Sequence, residues 1–173
     1  VIAGSCSAAT RRQVAFMRER CPSLRLEPAR LAADPGEVDA AVAWASERLA
    51  RGPVLIYSTA TPEEVRDAQN ALGTGEAAAL VEGALAAVAR QLVDRGVGRL
   101  VVAGGETSGA VVAALDVRAL AIGPQIDPGV PWTQTVPGGR GAPPLALALK
   151  SGNFGSEDFF LKAFGLLDGG QQQ

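Results

Sequence analysis

The stretch "RLVVAGGETSGAVVAAL" (Arg99–Leu115) decides how the chain is read. An apolar run with strand character, Arg99–Ala103, passes into two glycines. Glu106, Thr107 and Ser108 follow, and then an Ala- and Val-rich run of helical character. A buried strand that turns straight into a helix is the building unit of a parallel sheet covered by helices. Gly104 and Gly105 let a ligand come close to the main chain, because no Cβ intervenes. The amides after them open a helix N-terminus, whose unpaired N–H groups and partial positive charge suit a phosphate.

The same grammar recurs at both ends of the chain. "AGSCSAAT" (Ala3–Thr10) follows the strand-like opening "VIA" and leads into a helix over Thr10–Cys21, with Val14, Phe16, Met17 and Cys21 as its apolar face. "KSGNFGSED" (Lys150–Asp158) follows the strand "LALALK" and leads into a closing helix that starts at Ser156 or Glu157. Between them, Leu24–Glu27 reads as a weak strand. A helix follows with Asp34 as N-cap, Pro35 at its first position and Gly52 at its stop. "PVLIYS" (Pro53–Ser58) reads as a buried strand. Thr61 and Glu64 form a capping box around Pro62. "GTGEAA" (Gly73–Ala78) joins two helices, the second ending at Gly96, and Ala119–Gly123 reads as another strand. Residues 124–144 carry too much Pro and Gly for regular structure and are expected to form a long loop.

Strands alternating with helices of crossover length predict an α/β fold in three layers, a mainly parallel sheet with helices on both faces. One domain is expected over residues 1–167, with a disordered tail over 168–173. The chain opens on Val1 inside a strand, so further polypeptide is expected upstream.

Composition narrows the chemistry. Apolar residues make up 47% of the 173 and charged residues 20%, enough for a sizeable core. The net charge is −2, with Lys and Arg scattered, which argues against a nucleic-acid partner. There is no histidine, so a Ser-His-Asp triad and an imidazole-ligated metal are excluded. Cys6 and Cys21 lack zinc-site spacing and read as two buried, reduced thiols. No run approaches the length of a membrane span, and no membrane partner is expected.

Ligands of open α/β sheets bind where strands end and helices begin. The three turns therefore point to one site. Ser5, Ser7, Thr107, Ser108 and Ser151 bring hydroxyls; Gly104, Gly105, Gly152 and Gly155 bring accessible backbone; Lys150 brings a cation, Glu106 a carboxylate and Asn153 an amide. Plainer readings stand beside these: a tight turn at the two glycines, an N-cap at Thr107 or Ser108, a helix-start carboxylate at Glu106, a solvated rim charge at Lys150, and a left-handed turn at Asn153. Trp44 reads as core or interface. Trp132 either covers a ligand or pins the loop. Neither the P-loop pattern nor the dinucleotide fingerprint is present.

Taken together and in order, "GSCSAATRRQ", "VVAGGETSGAVVAAL", "IGPQIDPGVPW" and "LALALKSGNFGSEDFFLKAF" resemble the carboxyl-terminal nucleotide-binding domain of the four-carbon acid sugar kinases, from Gly4 to about Leu167. Within that family the segments look most like the 3-oxo-tetronate kinase branch, with threonate and erythronate kinases as the alternative. The resemblance implies ATP-dependent phosphorylation of a terminal hydroxyl. It assigns ATP contacts to Ser5 (or Ser7), to Gly104, Gly105, Glu106 and Thr107, and to Gly152 (or Gly155). It also implies an amino-terminal domain, absent here, that binds the sugar acid. Phosphoryl transfer implies Mg2+, for which Glu106 is the candidate ligand. A cytoplasmic location is expected, and a homo-oligomer is left open. A non-catalytic module that senses a phosphorylated metabolite or mediates assembly is the alternative of another class.

Overall fold

The computed structural model describes residues 1–136 and 144–169. Among the described residues, one sheet of seven strands runs in the order β2-β3-β1-β4-β7-β6-β5. These strands are β1 (Ile2–Ala3), β2 (Ser23–Arg25), β3 (Leu55–Tyr57), β4 (Arg99–Ala103), β5 (Leu120–Asp127), β6 (Val130–Thr135) and β7 (Ala146–Lys150). The first five strands in that spatial order are parallel. β6 is antiparallel to both of its neighbours. The quoted stretch forms β4 at the centre. Ala103 pairs with Ala3 on one side and with Lys150 on the other, so three strands end level with one another.

Helices α1 (Ala8–Arg18) and α7 (Phe159–Gly169) cover one face. The other face carries α2 (Pro28–Ala33), α3 (Glu37–Leu49), α4 (Pro62–Leu72), α5 (Thr74–Asp94) and α6 (Gly105–Ala114). Strand residues alternate between the two cores. Ile2, Ile56, Leu100, Val102 and Leu147 face α3, α5 and α6, while Ala3, Leu55, Tyr57, Val101 and Ala148 face α1 and α7. Both faces are apolar because both are covered. Each fully buried aliphatic side chain of this kind contributes about 1.5–3 kcal/mol. The three-layer α/β fold is the one the alternation predicts.

The capping box forms as expected: Thr61 Oγ1 accepts from Glu64 N, and Glu64 accepts from Thr61 N at 2.7 Å. Gly73 makes the joint, with α4 and α5 bent by 107°. Four expectations are corrected. Asp34 does not cap α3; it follows α2, and its carboxylate accepts from Gly36 N at 2.8 Å, holding the turn between the two helices. Residues 124–135 are not loop: they complete β5 and form β6 through the turn at Pro128 and Gly129. Pro124 is tolerated because β5 is an edge strand interrupted by bulges. Residues 137–143 of the expected loop lie outside the described residues. The two cysteines are free thiols, as expected, but only half-buried. Helix α7 continues through Gly169, two residues into the expected tail, and 170–173 lie outside the described residues.

Trp132 is buried, and its indole Nε1 donates to Ala163 O at 2.8 Å, so it fastens the β5–β6 hairpin to α7. Trp44 packs on the edge of the core. Among the described residues no single helix is long and apolar enough to cross a membrane.

Candidate nucleotide site at the carboxyl edge of the sheet

The register of β1, β4 and β7 places the three glycine turns side by side. The ladder continues one step past the strands: Gly4 N and Ser5 N donate to Ala103 O (3.0 and 3.2 Å), and Gly104 N donates to Lys150 O (2.8 Å). The turns are thus bound to one another through the main chain, as the sequence grammar expects.

In the second turn, Gly104 is the N-cap residue of α6, with φ +131°, a conformation suited to glycine alone. No side chain caps this helix. Among the described residues nothing accepts from the amides of Gly105, Glu106 and Thr107. Three such N–H groups, with the helix dipole behind them, are a helix end of the kind that suits an anion. Gly105 is exposed, and a Cβ on it would meet nothing within 4 Å. Glu106 lies exposed on the rim. Thr107 turns inward and is buried, its Oγ1 filling the space that side chains at Gly4 and Gly104 would need. Ser108 Oγ is buried and has no partner among the described residues.

The first and third turns interlock. Ser7 caps α1, its Oγ accepting from Thr10 N at 3.1 Å and donating to Gly152 O at 2.5 Å. That hydroxyl is committed to structure. Ser5 Oγ accepts from Ser7 N at 3.2 Å and faces Gly152 across the seam. Lys150 is fully buried rather than solvated at the rim. Its Nζ donates to Thr10 Oγ1 (3.1 Å), Ser151 O and Gly152 O (both 3.0 Å), all neutral acceptors. Burial lowers its pKa to about 8. Gly155 backs onto the Phe159 ring, while Ser151 and Asn153 are exposed.

A cavity of about 190 Å³ opens beside Gly4, Ser5, Glu106 and Thr107. Val65 and Ala68 of α4 and Ala77, Ala78 and Val81 of α5 give it an apolar wall. Arg25 and Glu64 pair across it at 2.8 Å. The Thr61 amide, and then Arg25, hold the Glu64 carboxyl down to about 2. A larger hollow, about 540 Å³, lies at the opposite edge, beside Pro53 and Gly98 and away from all three turns. Among the described residues no three Cys, Asp or Glu side chains gather to hold a metal. The protein residues present do not form a magnesium cage.

The fold that carries these three turns has counterparts among known proteins. The model of a nucleotide-binding C-terminal domain matches residues 1–160. The chain belongs to that family. It is 58% identical to a 3-oxo-tetronate kinase of Pseudomonas fluorescens, over 99% of this chain and 39% of that protein. It is 57% identical to a 3-oxo-tetronate kinase of Burkholderia multivorans, over 98% of this chain and 38% of that one. Among solved structures, the Haemophilus influenzae protein HI1011 superposes with a TM-score of 0.89 at 36% identity, covering 95% of this chain and 39% of its own. The chain therefore spans about two fifths of the length of these relatives.

In this nucleotide-binding domain the structure brings Ser5, Gly104, Gly105, Glu106, Thr107, Gly152 and Asn153 to one edge, and places Ser7, Lys150 and Gly155 behind it. Sequence reasoning missed Thr10 and Gln13. Both lie on the buried face of α1 with Val14 and Met17. Polar residues at buried helical spacing were the available signal. Gln13 Nε2 lies within 2.9–3.0 Å of the carbonyls of Phe154, Gly155 and Ser156. Also missed was Cys6, whose thiol lines the cavity and accepts from Ala60 N at 3.4 Å.

Proposed function

We propose that this domain is the ATP-binding part of a cytoplasmic kinase that phosphorylates the terminal hydroxyl of a four-carbon acid sugar, 3-oxo-tetronate first among them. The likeness of almost the whole chain to part of two 3-oxo-tetronate kinases, at 57–58% identity, carries this reading. The base and ribose lie in the cavity between α4 and α5. The phosphates pass Ser5 and Gly105 and take hydrogen bonds from the open amides of α6. In phosphoryl transfer, positioning and charge stabilisation supply most of the catalysis, and backbone amides supply both without any histidine. Magnesium would arrive on the nucleotide's phosphates, with Glu106 as a rim carboxylate offered to it. The acceptor's site, and the base that activates its hydroxyl, belong to the part of the kinase that this chain does not span.

The test compares the 173-residue chain with the full-length kinase. The chain should bind ADP in calorimetry and release no ADP from ATP when 3-oxo-tetronate, threonate or erythronate is added. The full-length protein should turn over 3-oxo-tetronate fastest. A full-length protein that binds nucleotide yet phosphorylates none of the three acids would favour a sensing or assembly module instead.

A further inference from the structure

Two buried side chains act on the carbonyls of the third turn. Lys150 Nζ donates to Ser151 O and Gly152 O, and the two N–H of Gln13 Nε2 are shared among the carbonyls of Phe154, Gly155 and Ser156, all within 2.9–3.0 Å. Ser7 and Thr10 hydroxyls add two more bonds to Gly152 O, at 2.5 and 2.9 Å. All three ammonium protons of Lys150 are thereby directed at neutral oxygens. In a planar trans peptide the N–H points opposite to the C=O. With the carbonyls of Ser151 and Gly152 drawn to the ammonium, the N–H groups of Gly152 and Asn153 must point away from it. Among the described residues nothing accepts from either. Successive amides turned to one side form a concave anion-binding surface.

We infer that Lys150 is a positioning residue: its buried ammonium holds the peptide planes that join residues 151–153, while Gln13 holds the carbonyls of residues 154–156 just beyond, so that the amides of Gly152 and Asn153 face the nucleotide's phosphates. The inference rests on the nucleotide reading above. It differs from the simplest expectation for a lysine at a strand end, which is direct contact with phosphate. Here the cation stays behind the turn and the backbone makes the contact. A lysine suits this place because one compact ammonium nitrogen reaches three acceptors that need not share a plane, whereas the donors of a guanidinium are coplanar. Burying it without a carboxylate leaves part of its field for the anion on the far side of the turn.

The test separates phosphate from nucleoside. ADP and adenosine are titrated into the 173-residue chain and into its Lys150→Met variant, and the amide resonances of the unmodified chain are followed by NMR. The expected result is an ADP affinity lowered by about tenfold or more in the variant, the equivalent of one or two charge-assisted hydrogen bonds. Adenosine affinity should stay nearly unchanged. In the unmodified chain, the Gly152 and Asn153 amides should shift with ADP and not with adenosine. Loss of both affinities together, or of neither, overturns the inference. Should Lys150→Met fail to fold, the spectrum decides alone, and ADP binding without a shift at Gly152 and Asn153 overturns it. Absence of ADP binding to the unmodified chain would overturn the nucleotide reading and this inference together.

Discussion

Ser5 Oγ fills the space that a side chain at Gly152 would need: a Cβ there would stand 2.5 Å from it. The first and third turns therefore meet through a glycine, with Ser7 and Thr10 fastening its carbonyl. Gly152→Ala is expected to push the two turns apart, at a cost of about 1–3 kcal/mol. Thermal unfolding should register the loss, and ADP titration should weaken with it. An unchanged melting temperature would mean that the seam yields without strain.

Gly104 and Gly105 are adjacent and should behave oppositely. Gly104 holds a positive φ, so Gly104→Ala should lose about 1–3 kcal/mol of stability. Gly105 is the first residue of α6, with open space where a Cβ would go. Gly105→Ala should leave stability unchanged or raise it by up to about 1 kcal/mol. Its methyl group would enter the ligand's space, so ADP affinity should drop by about tenfold or more. Full affinity in Gly105→Ala would remove the nucleotide from this turn.

Lys150 gives a pH signature. Its folded pKa, lowered to about 8 by burial, lies below the unfolded lysine value of about 10.4. Between these values the unfolded chain binds more protons, so stability rises with pH across that window and is lost again as pH falls through 8. The ammonium is lost over the same window, so ADP binding should weaken as stability grows. Urea midpoints and ADP titrations from neutral pH upward should diverge in this way, and both trends should shrink in Lys150→Met.

Cys6 reports on the cavity. Its thiol lines the space beside Ser5 and Thr107, whereas Cys21 does not line it. ADP should slow alkylation of Cys6 and leave Cys21 unaffected, as read by peptide mass spectrometry. Equal labelling of Cys6 with and without saturating ADP would place the nucleoside elsewhere.

Asp127 joins the hairpin to the start of α7. Burial pushes its carboxyl up, but bonds from Lys162 and from the amide and hydroxyl of Ser156 (2.8 and 2.9 Å) outweigh this, and it is held below its usual range. The resulting stability is present above the unfolded aspartate value and is lost as pH falls through the folded one. Asp127→Ala should cost about 1–3 kcal/mol by urea unfolding, because it removes the charge-assisted bonds from Lys162 and from the amide and hydroxyl of Ser156. It should also flatten the acid limb of the stability curve.

Much of this was readable in the sequence, for physical reasons. The three strand–glycine–helix turns announce themselves locally, since φ and close approach at a turn leave a compositional mark. The Thr61–Glu64 cap is likewise local. The hairpin of residues 120–135 was hidden because its prolines and glycines are tolerated only at a bulged sheet edge, a property of position in the sheet. Helix α2 was missed because its N-cap, Glu27, makes no side-chain bond, and Asp34 offered a better local signal for the wrong helix. The roles of Thr10 and Gln13 depend on carbonyls some 140 residues away, and no local pattern carries them.

Strand β7 is formed late in the sequence yet lies between β4 and β6, and the hairpin reaches the rest of the sheet only through it. On a ribosome, β1, β3 and β4 can pair among themselves while the β5–β6 hairpin waits with an unpaired edge. Only when residues 146–150 emerge can that edge close, and the same event brings Lys150 and Gly152 against α1. Such long-range pairing slows folding and leaves the hairpin exposed to other chains meanwhile. A nascent chain halted before Ala146 should therefore be more aggregation-prone than one extended past Lys150, and the proposed anion site at the third turn should form only after that extension.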